Sequence, residues 1–188
     1  LRAVQFTSPG SRMSRSTVDT TLSLLDGTQG TNAINVLASN VILEADTVRG
    51  GAGGGIQVAG NITGVRIVGG RIFGGGLTGM FITSTSRQTF AQYVAPVITG
   101  AFRGLSTPAN LLPVVARDSA MVSNYVGNVR DTIPVSGGAG IVRDTLVLSG
   151  VLPYRSSSYV NVDTGSFLDV RPGARIAFAD SQGINVMN

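Results

Sequence analysis

The chain contains no cysteine, no histidine and no tryptophan, and all 14 of its basic residues are arginine. Without cysteine there are no disulfides, no thiol nucleophiles and no thiolate metal sites. Without histidine the commonest general base and the commonest metal ligand are both gone. No metal site and no cofactor are therefore expected. Charge is scarce too: 13% of residues are charged, against ~25% in soluble domains generally. The surface must then be made largely of Ser, Thr, Asn, Gln and Gly. Surfaces of this kind are common on extracellular and virion β-proteins, and weakly charged chains associate readily. The net charge of +4 is dispersed and never forms a run, so no nucleic-acid footprint is expected. No stretch approaches the ~18 consecutive apolar residues of a membrane-spanning helix, so no membrane insertion is expected either.

What the chain has in abundance is glycine, 26 residues of it. Between Asn40 and Gly79 glycine clusters alternate with short β-branched runs: Val41-Ile42-Leu43, Ile56-Gln57-Val58, Val65-Arg66-Ile67-Val68 and Arg71-Ile72-Phe73. Such runs are too short for helices and carry strand periodicity. Glycine accepts positive φ at little cost and admits a close backbone, so each run can end in a sharp corner. The runs also recur. Ile34-Asn35-Val36 returns 22 residues later as Ile56-Gln57-Val58, Val41 returns 24 later as Val65, and Ile56 returns 24 later as Met80. In the second half Leu146-Val147-Leu148 precedes Leu168-Asp169-Val170 by 22, and Val160-Asn161-Val162 precedes Ile184-Asn185-Val186 by 24. A step of this size is one coil of a three-sided parallel β-helix. The expected fold is therefore all-β, a parallel solenoid. The alternative is a β-sandwich or jelly roll, which would place turns every ~8–12 residues without the longer step.

The organisation expected along the chain is an N-terminal arm or linker over 1–20, a Gly-rich solenoid over 21–106, a junction over 107–113 and a C-terminal β region over 114–188. Within these, Ala3 to Phe6 reads as a strand. Thr21 to Leu25 reads as another, followed by an Asp26-Gly27 turn. Thr89 to Tyr93 reads as a short helix stopped by Pro96, and Pro108 and Pro113 resist helix and ladder alike. Val114-Val115, Ala120 to Val122, Tyr125-Val126 and Ile133 to Val135 read as strands resuming after the junction. Ile141 to Leu148, Tyr159 to Val162, Phe167 to Val170, Ile176 to Phe178 and Ile184 to Val186 read as further strands.

No nucleophile elbow, zinc-protease helix or phosphate loop is present. Glycoside cleavage needs two carboxylates about 5–10 Å apart. On an extended strand Glu44 and Asp46 would share a side at roughly 6–7 Å, which makes them the candidate catalytic pair. The other aspartates read as turn residues. Tyr154, Arg155 and Tyr159, in YRSSSY, are the candidate carbohydrate-binding residues: tyrosines stack on sugar rings, and Arg with serines bonds hydroxyls.

The stretch GIQVAGNITGVRIVGGRIFGG (Gly55 to Gly75), with the low charge and polar surface, resembles the right-handed β-helices of bacteriophage tailspikes and virion fibres, and pectate-lyase-like folds. That resemblance implies a homotrimer, virion or extracellular location, other virion proteins as partners, and contact with cell-surface polysaccharide. The function so implied is a structural virion component of a phage head or tail fibre or spike, able to adhere to host polysaccharide. The alternatives are a polysaccharide-degrading tailspike enzyme, with Glu44 and Asp46 as its carboxylates, and a capsid or decoration protein of jelly-roll form. The family's catalytic carboxylates match no positions here, so the expectation leans away from an enzyme.

Overall fold

The computed structural model describes residues 4–20, 32–50, 53–74, 76–84, 86–136, 140–142 and 145–187. It is a parallel β-solenoid. The first coil carries β1 (Val4–Phe6), β2 (Arg12–Ser14) and β3 (Thr17–Asp19), and the second β4 (Ile34–Val36), β5 (Ile42–Glu44) and β6 (Thr47–Gly50). The third carries β7 (Ile56–Val58), β8 (Val65–Val68) and β9 (Arg71–Gly74), and the fourth β10 (Thr78–Ile82), β11 (Phe90–Val94) and β12 (Val97–Thr99). β13 (Arg103–Pro108) opens the fifth, which then departs from the pattern: a 3-10 turn at Ala109–Leu111 leads into α1 (Leu112–Val115) and α2 (Ser119–Ser123). Strands resume with β14 (Ile133–Ser136), β15 (Gly140–Val142) and β16 (Thr145–Leu148), then β17 (Tyr154–Ser156), β18 (Val160–Val162) and β19 (Phe167–Val170), and finally β20 (Ile176–Phe178) and β21 (Ile184–Val186).

One face runs through every coil as an eight-stranded sheet, β1-β4-β7-β10-β13-β14-β17-β20. The other two faces are interrupted at the fifth coil. They form β2-β5-β8-β11 and β3-β6-β9-β12 above it, and β15-β18-β21 and β16-β19 below. Every strand pairing among the described residues is parallel. Facing antiparallel layers, which a sandwich or jelly roll requires, do not occur among them. The expected steps are the observed registers: Ile34 pairs with Ile56, Ile56 with Met80, Leu146 with Leu168 and Val160 with Ile184.

Alternation within each short strand turns the β-branched residues inward, and the register stacks them. One row of the core reads Ile34, Ile56, Met80, Leu105, Ile133 and Tyr154, all buried. A second reads Val36, Val58, Ile82, Thr107, Val135 and Ser156. Where the chain enters the long face, Gly55, Gly79 and Gly104 stack on one another. A Cβ on Gly55 would strike the carbonyl of Gly79 and Ile72, and one on Gly79 would strike Ile98 and, at 3.0 Å, the carbonyl of Gly104. These positions need glycine for closeness of approach.

The segment 109–123 replaces a strand rung. Its α1 packs between β11 and β16, and the 3-10 turn lies against β15. Pro113 sits in the first turn of α1, where its missing N–H removes no helical bond. Asp118 caps α2 by accepting from Met121 N at 2.8 Å. Residues 124–128 then return to the stack: Ile98 N donates to Asn124 O at 2.8 Å and Gly100 N to Gly127 O at 2.9 Å. Buried Tyr125 locks the segment, donating to Val115 O at 2.6 Å while its hydroxyl meets that of Tyr93 at 2.8 Å.

Four local expectations change. Residues 4–19 are not an arm but the first coil, with Val4 on Ile34, Met13 on Leu43 and Val18 on Val48. Thr89 to Tyr93 is no helix: Phe90 to Val94 pairs with β8, because the ladder and the Phe90–Tyr93 edge-to-face contact at 5.1 Å outweigh local helical preference. Val114-Val115 and Ala120 to Val122 are helical, and Tyr125-Val126 is not a strand. The junction over 107–113 splits between the end of β13 and α1, with Pro108 opposite Ser136 in the ladder. The strand and turn expected over Thr21 to Gly27 lie outside the described residues.

Two stability outcomes follow. Gly79→Ala lowers the urea-unfolding free energy by about 1–3 kcal/mol through overpacking, whereas Gly183→Ala, with open space at its Cβ position, stays within about 0.5 kcal/mol. Tyr125→Phe strands the Val115 carbonyl and costs about 1–3 kcal/mol; a neutral result shows that the hydroxyl does not anchor the insert.

Candidate functional site

The expected carboxylate pair sits at the corner between the second and third faces. Here Arg15, Ala45 and Gly69 stack in left-handed conformation at φ of 50°, 53° and 64°. Arg15 N donates to Glu44 O and Ala45 N to Val68 O, so the first three coils repeat the same tight corner. The corner breaks the extended geometry that would have put Glu44 and Asp46 on one side of a strand. Asp46 turns inward. Its Oδ1 accepts from Ser16 N at 2.9 Å and its Oδ2 from Glu44 N at 3.0 Å. Burial nonetheless raises its pKa above the ordinary 3.8, against the pull of those two amides.

Glu44 remains outside, on β5, in a groove of about 320 Å³ with Arg12, Arg66 and Gln92. Its charge is already matched, since Arg12 in the coil above holds Glu44 Oε2. Arg66 is likewise held by Gln92 Oε1, through Nε at 3.1 Å and Nη2 at 2.6 Å. The groove is a ladder of cross-coil polar pairs with its hydrogen bonds made internally. The structure does not bring Glu44 and Asp46 together as two free carboxylates.

The YRSSSY segment divides. Tyr154 is the core residue of β17, 1% exposed. Its hydroxyl accepts from Ser149 N at 3.1 Å, and burial raises its pKa. It is not a platform for a sugar ring, because the register places it in the inward row between Ile133 and Ile176. Arg155 and Tyr159 are exposed. Arg155 is the next residue along β17 and therefore points outward, into a groove of about 540 Å³ on the long face with Arg103, Arg130, Thr132, Pro134 and Ser157.

Arg103 and Arg130 are the residues that sequence reasoning missed. Both guanidinium groups stack on the ring of Phe102, at 5.3 and 4.8 Å from its centroid. A signal was available. Arg103, Arg130 and Arg155 are separated by 27 and 25 residues, close to one coil each, which brings arginines from successive coils to one face, although the ladder sets Arg155 beside Pro134 rather than beneath Arg130. Among the described residues none of the three forms an ion pair. The neighbouring carboxylate, Asp131, is occupied by its own turn, accepting from Asn128 N at 2.9 Å.

Comparison with protein-family models, with curated proteins and with solved structures finds no match for the chain.

The pH dependence tests the corner. The folded pKa of Asp46 lies above its unfolded value, so the native state holds this proton more tightly than the unfolded chain does. Its contribution is most favourable below the unfolded pKa and declines as pH rises through the folded one. Urea midpoints followed from about pH 3 to about pH 7 should show that decline in the native chain and a flatter limb in Asp46→Asn. An unchanged slope contradicts the assignment.

Proposed function

We propose that the chain is a structural virion component, part of a phage head or tail fibre or spike, that assembles as a homotrimer beside other virion proteins and adheres to host cell-surface polysaccharide. The observation that supports this reading best is the solenoid itself. Its backbone bonds run coil to coil, its core is one continuous column, and the chain is weakly charged. Such an object resists bending and unfolding, and presents a long, flat, preformed surface. That is the demand on a rigid appendage, and it needs no reacting groups.

The trimer is supported by apolar side chains uncovered at the last coil, where Val170 and Val186 lie in register with buried Leu148 and Val162. Phe167 and Val170 of β19 and Val186 of β21 are 69%, 52% and 67% exposed. Residues so placed are what a subunit contact covers. Cleavage is left out of the proposal because Asp46 is tied to backbone amides and Glu44 to Arg12.

Sedimentation of the purified chain should give a three-copy species, and Phe167→Asp with Val186→Asp should shift it to one copy without changing the circular dichroism. A single copy for the native chain at every concentration contradicts the trimer. Labelled chain should also bind whole bacteria of a susceptible strain, and lose them after the surface polysaccharide is stripped.

A further inference from the structure

We propose that the groove of Arg103, Arg130 and Arg155 is a binding site for an acidic polysaccharide, one whose sugar units carry carboxylates. Three observations carry it. First, three guanidinium groups from three successive coils converge on one groove of about 540 Å³, a size typical of ligand clefts. Second, among the described residues none forms an ion pair, in contrast to the Glu44 groove, where Arg12 and Arg66 are already held. Third, two are preorganised: Phe102 braces both Arg103 and Arg130 by cation–π contact, so less side-chain freedom is lost when a ligand binds.

The rest of the lining says which anion carrier fits. Guanidinium forks bind carboxylates bidentately. Thr132 and Ser157 offer hydroxyls for sugar hydroxyls, and Pro134 supplies an apolar floor against which a pyranose face can lie. The three cations come from successive coils and are staggered across the face, since the ladder sets Arg155 beside Pro134, and so match a chain with repeated, spaced charges. A nucleic-acid backbone would demand a longer basic stripe, and the other arginines are dispersed.

The inference deepens the adhesion reading and rests on it for the carrier's identity. The test is calorimetric titration of the intact chain with polygalacturonate, with neutral dextran and with sulfate alone. Polygalacturonate should bind and weaken as salt is raised. Arg155→Gln or Arg130→Gln should each weaken it roughly tenfold or more, while Arg87→Gln, an exposed arginine outside the groove, leaves it unchanged. No binding of polygalacturonate, binding of sulfate only, equal binding of dextran, or equal loss in Arg87→Gln overturns the proposal. The adhesion reading fails separately: bacteria left unbound while polygalacturonate titrates normally sink adhesion and leave the groove standing. Capture of bacteria through a neutral polysaccharide, with polygalacturonate silent, does the reverse.

Discussion

Everything in this molecule depends on each coil returning in register beneath the one before it on the long face. That return pairs the backbone of every strand with the next coil, so no strand relies on a hairpin partner. It also stacks like on like. Ile34, Ile56, Met80, Leu105 and Ile133 form a buried column because they are ladder partners or lie in continuous register. Inward burial and ladder pairing are therefore one constraint seen from two directions. A slip of one residue would turn the column out to water and bring polar residues in.

The same register organises the polar exterior. Corner residues repeat with the coil, and so do the side chains that project from the faces. Arg12 meets Glu44 and Arg66 meets Gln92 across adjacent rungs. The arginines at 103, 130 and 155 also come from successive coils, and among the described residues none of them forms an ion pair, which leaves their groove open to an anion. The fifth coil is the exception that links the halves. It keeps the long face through β13 and gives up a rung to 109–123. That segment is held by the Tyr125 hydroxyl and by Asn128, whose side chain accepts from Ala101 N at 3.0 Å and donates to Tyr125 O at 2.6 Å.

The coil step was legible because β-branched triplets recur where the ladder pairs them, as at Ile34 and Ile56 or Val160 and Ile184. The first coil was not, because Met13 and Val18 sit singly among polar residues and only the partners at Leu43 and Val48 reveal them as inward. The helical segment was hidden by its own residues: Val114, Val115 and Val122 favour strands, and packing rather than propensity decides their state. Tyr154 misled for a related reason. Phenol beside arginine reads as surface, yet the step from Ile133 puts its ring in the core and its neighbour Arg155 outside. The carboxylate pair failed on a backbone detail, the left-handed Ala45, which residue type does not announce. The arginine groove was partly within reach: the spacing brings Arg103, Arg130 and Arg155 to successive coils, while the ladder that sets Arg155 beside Pro134 is visible only in the structure.

The absence of cysteine makes the register directly measurable, since any introduced pair reports only on itself. Parallel neighbours lie about 4.8 Å apart, within the range a disulfide spans. Gln57 faces Phe81 in the upper coils and Val147 faces Asp169 in the lower. Cysteines at either pair should cross-link under mild oxidant within single chains, while Gln57→Cys combined with Thr83→Cys, two residues out of register, should not. Equal cross-linking of the displaced pair, or none in the matched pairs, would contradict the coil stack on which the whole account rests.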